Sequence, residues 1–106
     1  MAETPRMLLV VHTDVDPVRE AEFNTWYNED HVPAIVRQPG FVRARRYVCV
    51  EGQDQNPKYL AIYEFEREED RKTPEYATVR GFAAFASDVS HTSIGVFRKI
   101  LDYEKP

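Results

Sequence analysis

The chain has 106 residues, with 42% hydrophobic and 30% charged residues and a formal net charge of −4. That composition fits a folded domain large enough to build its own core and excludes a disordered chain. A single cysteine excludes an internal disulfide framework and a cysteine-rich zinc site, and the acidic balance argues against a nucleic-acid partner.

In chain order, residues 1–5 read as a polar tail without a basic segment leading into an apolar one. The longest apolar run, Met7 to Val11, is too short to span a bilayer. A cytoplasmic protein without membrane contact is expected, with residues 1–106 forming a single domain. Arg6 to Thr13 reads as a first strand, apolar on both faces. Asp16 and Pro17 are an N-cap acceptor and a proline at the first helical position, so a helix is expected from Pro17 to His31. Its apolar stripe takes in Phe23, Trp26, Tyr27, Asp30, His31, Ala34 and Ile35. Pro33 predicts a break or kink there, with a second short helical piece that begins at Pro33 and ends at Pro39-Gly40.

Phe41 to Glu51 reads as a second strand, Gly52 to Pro57 as a polar turn, and Lys58 to Glu66 as a third strand. Arg67 to Lys72 is a charged connector. Thr73-Pro74-Glu75 opens a second helix bearing Tyr76, Val79, Arg80, Ala83 and Ala84 on one stripe, with Phe82 and Phe85 beside it; Gly81 weakens it. Ser87 to Ser93 reads as a polar loop and Ile94 to Tyr103 as the last strand. Strand, helix, strand, strand, helix, strand is the order of a ferredoxin-like α+β fold: a four-stranded antiparallel sheet with both helices on one face. The opposite face would then be bare and largely apolar, which is economically solved by a homodimer packed sheet on sheet.

The segment richest in chemistry is Phe23 to Pro33, with Trp26-Tyr27, the acids Glu29-Asp30 and His31-x-Pro33, followed by Pro39-Gly40-Phe41. An imidazole at a perturbed helix end is suited to proton transfer near neutral pH, although it also suits a purely structural role, donating to unpaired carbonyls. Trp26 and Tyr27 offer flat walls with polar handles, and equally serve as core. This segment resembles the EthD-like family of dimeric α+β barrel proteins, strongly from Asp16 to about Tyr47 and elsewhere through element order. The resemblance implies a dimeric barrel and, by its relatives, a degradative auxiliary, decarboxylase, isomerase or protein without a reaction.

The function expected is therefore a cofactor-free isomerase, lyase or cyclase acting on an apolar ring-type metabolite. The alternatives are a ligand-binding auxiliary without turnover and a cofactor-independent monooxygenase. His31 is the candidate acid–base, Tyr27 the hydrogen-bond donor to a developing oxyanion, and Asp30 a possible orienting group. Phe23, Trp26, Ile35, Tyr76, Phe82 and Phe85 are the candidate ligand walls. Arg43, on the second strand, is a candidate carboxylate binder or else an ion-paired surface residue. No paired-histidine spacing supports a metal, and no glycine-rich loop supports a nucleotide cofactor. Cys49 reads as a buried, inert strand residue, and the serines around His91 lack the strand–turn–helix context of a nucleophile.

Overall fold

In a computed structural model, residues 7–106 are described; the polar tail and Arg6 lie outside them. β1 (Met7–Val15) alternates half-buried and buried positions, so Leu9, Val11, Thr13 and Val15 face one side. The chain turns at Asp16, whose carboxylate accepts the Val18 N–H at 3.0 Å, and α1 runs Glu20–Trp26. The proline and N-cap signals thus mark the turn that feeds the helix, and the helix itself starts one turn later than Pro17.

Of the break or kink expected at Pro33, the break does not occur, and the second helical piece is present. Tyr27–His31 instead forms a wide π turn in which the Val32 N–H reaches back to the Tyr27 carbonyl, and α2 (Val32–Val36) continues the rod. Proline inside a helix has no N–H to give and crowds the carbonyl four residues back. Widening the preceding turn is the accommodation made here. It also resets the phase of the stripe. A step of four residues drifts about 40° in a regular helix, yet Phe23, Tyr27, His31 and Ile35 are all buried, at 0%, 2%, 7% and 2% exposure. The π turn takes up the drift, and Asp30 is turned out to solvent.

β2 (Phe41–Val48) and β3 (Tyr59–Phe65) form the expected hairpin. The register slips between Phe41 and Arg43, so Phe41 joins the even-numbered Ala44 and Arg46 on the helix side. A tight turn (Glu68–Arg71) follows, with Asp70 buried. Its carboxylate accepts the Arg67 N–H at 2.8 Å and lies against Gly40, where a Cβ would come within 2.0 Å of it. Gly40 also has φ +88°, so the Pro39-Gly40 signal is explained twice: by the left-handed backbone and by the space Asp70 takes.

α3 (Pro74–Val79) is capped by the Thr73 side chain, which accepts the Tyr76 N–H, but it is shorter than its stripe implied. Arg80 is extended and Gly81 has φ +91°, so Phe82 and Phe85 sit on a separate tight turn rather than on the helix. β4 (Val89–Arg98) begins earlier than Ile94 and stops before Tyr103. The sheet order is β2-β3-β1-β4, all antiparallel. The buried sheet residues and Phe23, Tyr27, Ile35, Tyr76 and Phe85 from the helical layer make one core, so the fold is the ferredoxin-like α+β expected. The other face of the sheet carries Leu8, Val10, Leu60 and Ile62, half-buried, with Tyr47 and Phe97 48% and 55% exposed.

Candidate functional site

The helices and sheet do not close on each other completely. Between them lies a cavity of about 330 Å³. Its inner wall is made by Tyr27, His31 and Ile35 of the helical rod, Leu9 and Val11 of β1, and Tyr63 of β3. Tyr76 and Ala77 of α3 form its side. All of these except Ala77 are buried, whereas Arg80, Gly81 and Ile94 are exposed and Arg71 and Phe82 intermediate, so the latter group forms the mouth.

The polar groups of the inner wall are few and close together. Tyr63 donates its hydroxyl hydrogen to Tyr27 Oη across 3.1 Å. The His31 ring lies edge to face with the Tyr27 ring, 4.7 Å between centroids, and stacks on Trp26 at 4.7 Å and 21°. Burial, helped by the Arg46 charge, pushes the His31 imidazole down to about 4, so it is neutral at pH 7. Burial raises both phenols, Tyr63 more strongly; for Tyr27 the hydrogen bond from Tyr63 and the Arg46 charge work against the rise. Arg46 lies 4.2 Å over the Tyr27 ring and is held by Asn24 Oδ1 at 3.0 Å and Asn28 Oδ1 at 2.8 Å. The i, i+4 spacing of Asn24 and Asn28 places both amides over β2 to receive it.

Of the residues singled out from the sequence, Tyr27, His31, Ile35, Tyr76 and Phe82 meet at this cavity. The others do not. Phe23 is core beneath Tyr27, with Phe85 edge-on at 5.6 Å. Trp26 covers the His31 ring from the side facing away from the cavity and touches Phe85 at 5.3 Å. Asp30 is exposed on the outer helix face, because the π turn carries it out of the stripe, and it cannot orient His31. Arg43 lies on the far face of the sheet, 3.7 Å from Glu64, so it is the ion-paired surface residue. His91 lies beside Asp14 at 3.0 Å, away from the cavity, and Cys49 follows the end of β2, with Sγ 3.1 Å from the Glu51 carbonyl.

Sequence reasoning missed Tyr63, Arg71 and Arg80. Tyr63 alternates with Tyr59, Ala61 and Phe65 along β3, and only register puts it opposite Leu9 and Ala44. Arg71 sat in a charged connector with nothing to distinguish it from its neighbours. Arg80 was readable on the stripe of α3, but as one cation on a solvated helix. Among the described residues, no group of three or more His, Cys, Asp or Glu side chains could hold a metal, and no helix is long and apolar enough to cross a membrane.

Comparison with solved structures places the fold. The heme-degrader MhuD of Mycobacterium tuberculosis, solved with two hemes in its active site, superposes with a TM-score of 0.68 at 19% identity over 92% of this chain and 99% of its own. SnoaB of Streptomyces nogalater, a cofactor-independent oxygenase, gives 0.66 at 20% identity over 95% and 99%. An EthD-family protein from Bacillus halodurans gives 0.64 at 14% identity over 89% and 99%. At these identities the likeness is one of fold, the ferredoxin-like α+β fold described above. No curated protein matches in sequence. Residues 6–101 match the model of a domain family of unknown function, and the chain belongs to that family, DUF4286.

Proposed function

We propose that the cavity is the active site of a cofactor-independent enzyme that moves a proton on an apolar one- or two-ring compound. The observation that carries this reading is the convergence of a buried neutral imidazole, His31, and a hydrogen-bonded tyrosine pair on one otherwise apolar cavity. Its 330 Å³ lies at the small end of ligand sites of about 300–1,000 Å³, which suits one or two rings rather than a tetrapyrrole.

In this reading each polar group of the inner wall has one role. His31 is unprotonated at pH 7 and accepts the proton. A base held near 4 is weak, so the substrate proton must already be acidic: a ring C–H beside a carbonyl, or a phenol. Because Tyr63 donates to Tyr27, the Tyr27 O–H is left to donate to the enolate or phenolate oxygen that forms. The anion beside His31 in turn stabilises the imidazolium. Returning the proton to another carbon gives an isomerase, and attack of the anion on a carbonyl of the same molecule a cyclase; a decarboxylase reaches the same kind of anion by losing carbon dioxide in place of a proton and then takes a proton from the site. Transfer of the anion's electrons to dioxygen gives a cofactor-independent monooxygenase, the outcome that the fold likeness to SnoaB favours. The isomerase, cyclase and oxygenase share the first proton transfer, and the decarboxylase shares with them only the oxyanion that Tyr27 would hold.

That step is testable with 2-tetralone, whose ring CH2 lies between a carbonyl and an arene. Deuterium incorporation from D2O is followed by NMR under nitrogen, and oxygen uptake in air. The protein should accelerate exchange, and His31→Ala should reduce the acceleration about a hundredfold. Oxygen uptake in air would then assign the oxygenase branch. Exchange unaffected by His31→Ala makes the histidine structural, and binding without exchange makes the protein a ligand-binding auxiliary.

The reading includes a homodimer that covers the bare sheet face of Leu8, Val10, Leu60, Ile62 and Phe97. Exposed apolar patches of this kind mark association surfaces. Sedimentation at micromolar concentration should give twice 12.4 kDa, and Ile62→Lys, at the centre of the face, should give 12.4 kDa with an unchanged circular dichroism spectrum. A wild-type monomer overturns the assembly.

A further inference from the structure

The cavity lining includes Arg71 and Arg80 and no aspartate or glutamate. With His31 neutral, every formal charge on the lining is positive. Neither arginine has an ion-pair partner among the described residues, whereas Arg19, Arg43, Arg45 and Arg67 each have at least one. The carboxylate nearest to Arg71 in sequence, Asp70, is committed elsewhere: it accepts the Arg67 N–H and packs against Gly40. Arg71 Nε is shut off from solvent and has no hydrogen-bond partner. A buried donor left unpaired costs free energy, and a guanidinium in that condition favours an incoming oxyanion.

The two arginines reach the mouth from different elements. Arg71 ends the turn that Gly40 and Asp70 lock in place, and Arg80 ends α3, where the extended backbone before Gly81 stops the helix. His31 and Tyr27 belong to the buried part of the lining. A ligand filling the cavity therefore meets cations at its outer end, apolar side chains along its length and the proton-transfer groups at its inner end.

We propose that the substrate is an aryl carboxylate or a similar ring monoanion, with its carboxylate held at the mouth between Arg71 and Arg80 and its reacting ring directed at His31 and Tyr27. The inference rests on the cavity being the ligand site, and it narrows the substrate class. It also gives the arginines a function that Arg43, on the far face of the sheet, does not have. Anchoring at the mouth fixes which ring carbon reaches His31, so it sets regiochemistry as well as affinity.

The test is a matched pair of probes, 2-naphthoate and 2-naphthalenemethanol, which share a ring system and differ in charge. Binding is measured by calorimetry at low and at high salt. The wild-type protein should bind the acid about tenfold more tightly than the alcohol at low salt, and the preference should shrink as salt rises. Arg80→Gln and Arg71→Gln should each remove most of that preference while leaving the alcohol unaffected, and Arg43→Gln should change neither. Arg80 is exposed, so its variant stands even if Arg71→Gln is poorly folded. Equal binding of the two probes, or a preference that survives in the double variant, overturns the anchor and leaves the cavity as a ligand site. If neither probe binds, the cavity reading falls and the anchor with it.

Discussion

Phe23→Ala should lower the free energy of unfolding by about 4 kcal/mol, and Trp26→Ala by about half as much. Residue size alone reverses that order, since tryptophan is the larger side chain. Position decides it. Phe23 has no solvent exposure and sits among the rings of Tyr27, Tyr59, Phe82 and Phe85, at centroid distances of 5.3, 6.5, 6.3 and 5.6 Å. Removing it leaves a void between helix and sheet that the surrounding β-strands cannot collapse to fill. Trp26 is one residue before the π turn and packs on His31 and Phe85 at the edge of the helical layer, with part of its ring in water. Urea unfolding at fixed protein concentration gives both values. A Trp26→Ala loss equal to or above that of Phe23→Ala would mean that the tryptophan is the keystone of the core.

The element order was legible because it depends on features that survive any tertiary context: alternating strands, proline and glycine at the turns, and a four-step aromatic stripe. What was illegible arose where a local irregularity changes which residues share a face. A regular helix over residues 17–31 puts Trp26 and Asp30 on the stripe of Tyr27 and His31. The π turn takes Asp30 off it and leaves Trp26 at its margin, and no residue in Tyr27–His31 announces it except Pro33 two places later. The bulge after Phe41 likewise moves that residue off the face of Arg43 and Arg45, which point toward Glu64, and onto the helix face with Ala44 and Arg46. Alternation alone parts Arg46 from Arg43 and Arg45, but with Phe41 counted among the odd positions it does not tell which set faces the helices.

The rest of the site was hidden by sequence distance. Tyr63 and Tyr27 become a hydrogen-bonded pair only through the packing of β3 beneath the helix, and Arg71 reaches the mouth only because Gly40 leaves room for Asp70. The strand β4 was misplaced for a different reason. After Val89, which packs against the core, its first residues, Ser90 to Ser93, are polar and exposed at the sheet edge, where alternation has nothing to bury. Apolar patterning reports burial, so it fails wherever a strand is not buried.

The burial of His31 carries a signature in stability as well as in catalysis. In the unfolded chain its imidazole titrates near 6.5, and in the folded protein near 4. Between those values the unfolded state binds the proton and the native state does not, so stability falls as pH is lowered through that window. Between pH 7 and pH 4 the loss from this one group should be about 3 kcal/mol. Carboxylates add their own acid dependence: Glu20, held below its ordinary value by Lys58 and Tyr59, loses its contribution as pH falls through its folded pKa. The His31→Phe variant separates the two, because it keeps a ring against Trp26 and removes only the titration. Urea unfolding of both proteins at pH 7, 5.5 and 4, at one protein concentration, should show the wild type losing about 3 kcal/mol more than His31→Phe across the range. Trp26→Ala, which uncovers one face of the imidazole, should reduce that excess by lifting the native pKa back toward 6.5. Parallel losses in wild type and His31→Phe would mean that the imidazole is already solvated in the folded protein, and a solvated imidazole would not be the dry, neutral base on which the proposed proton transfer depends.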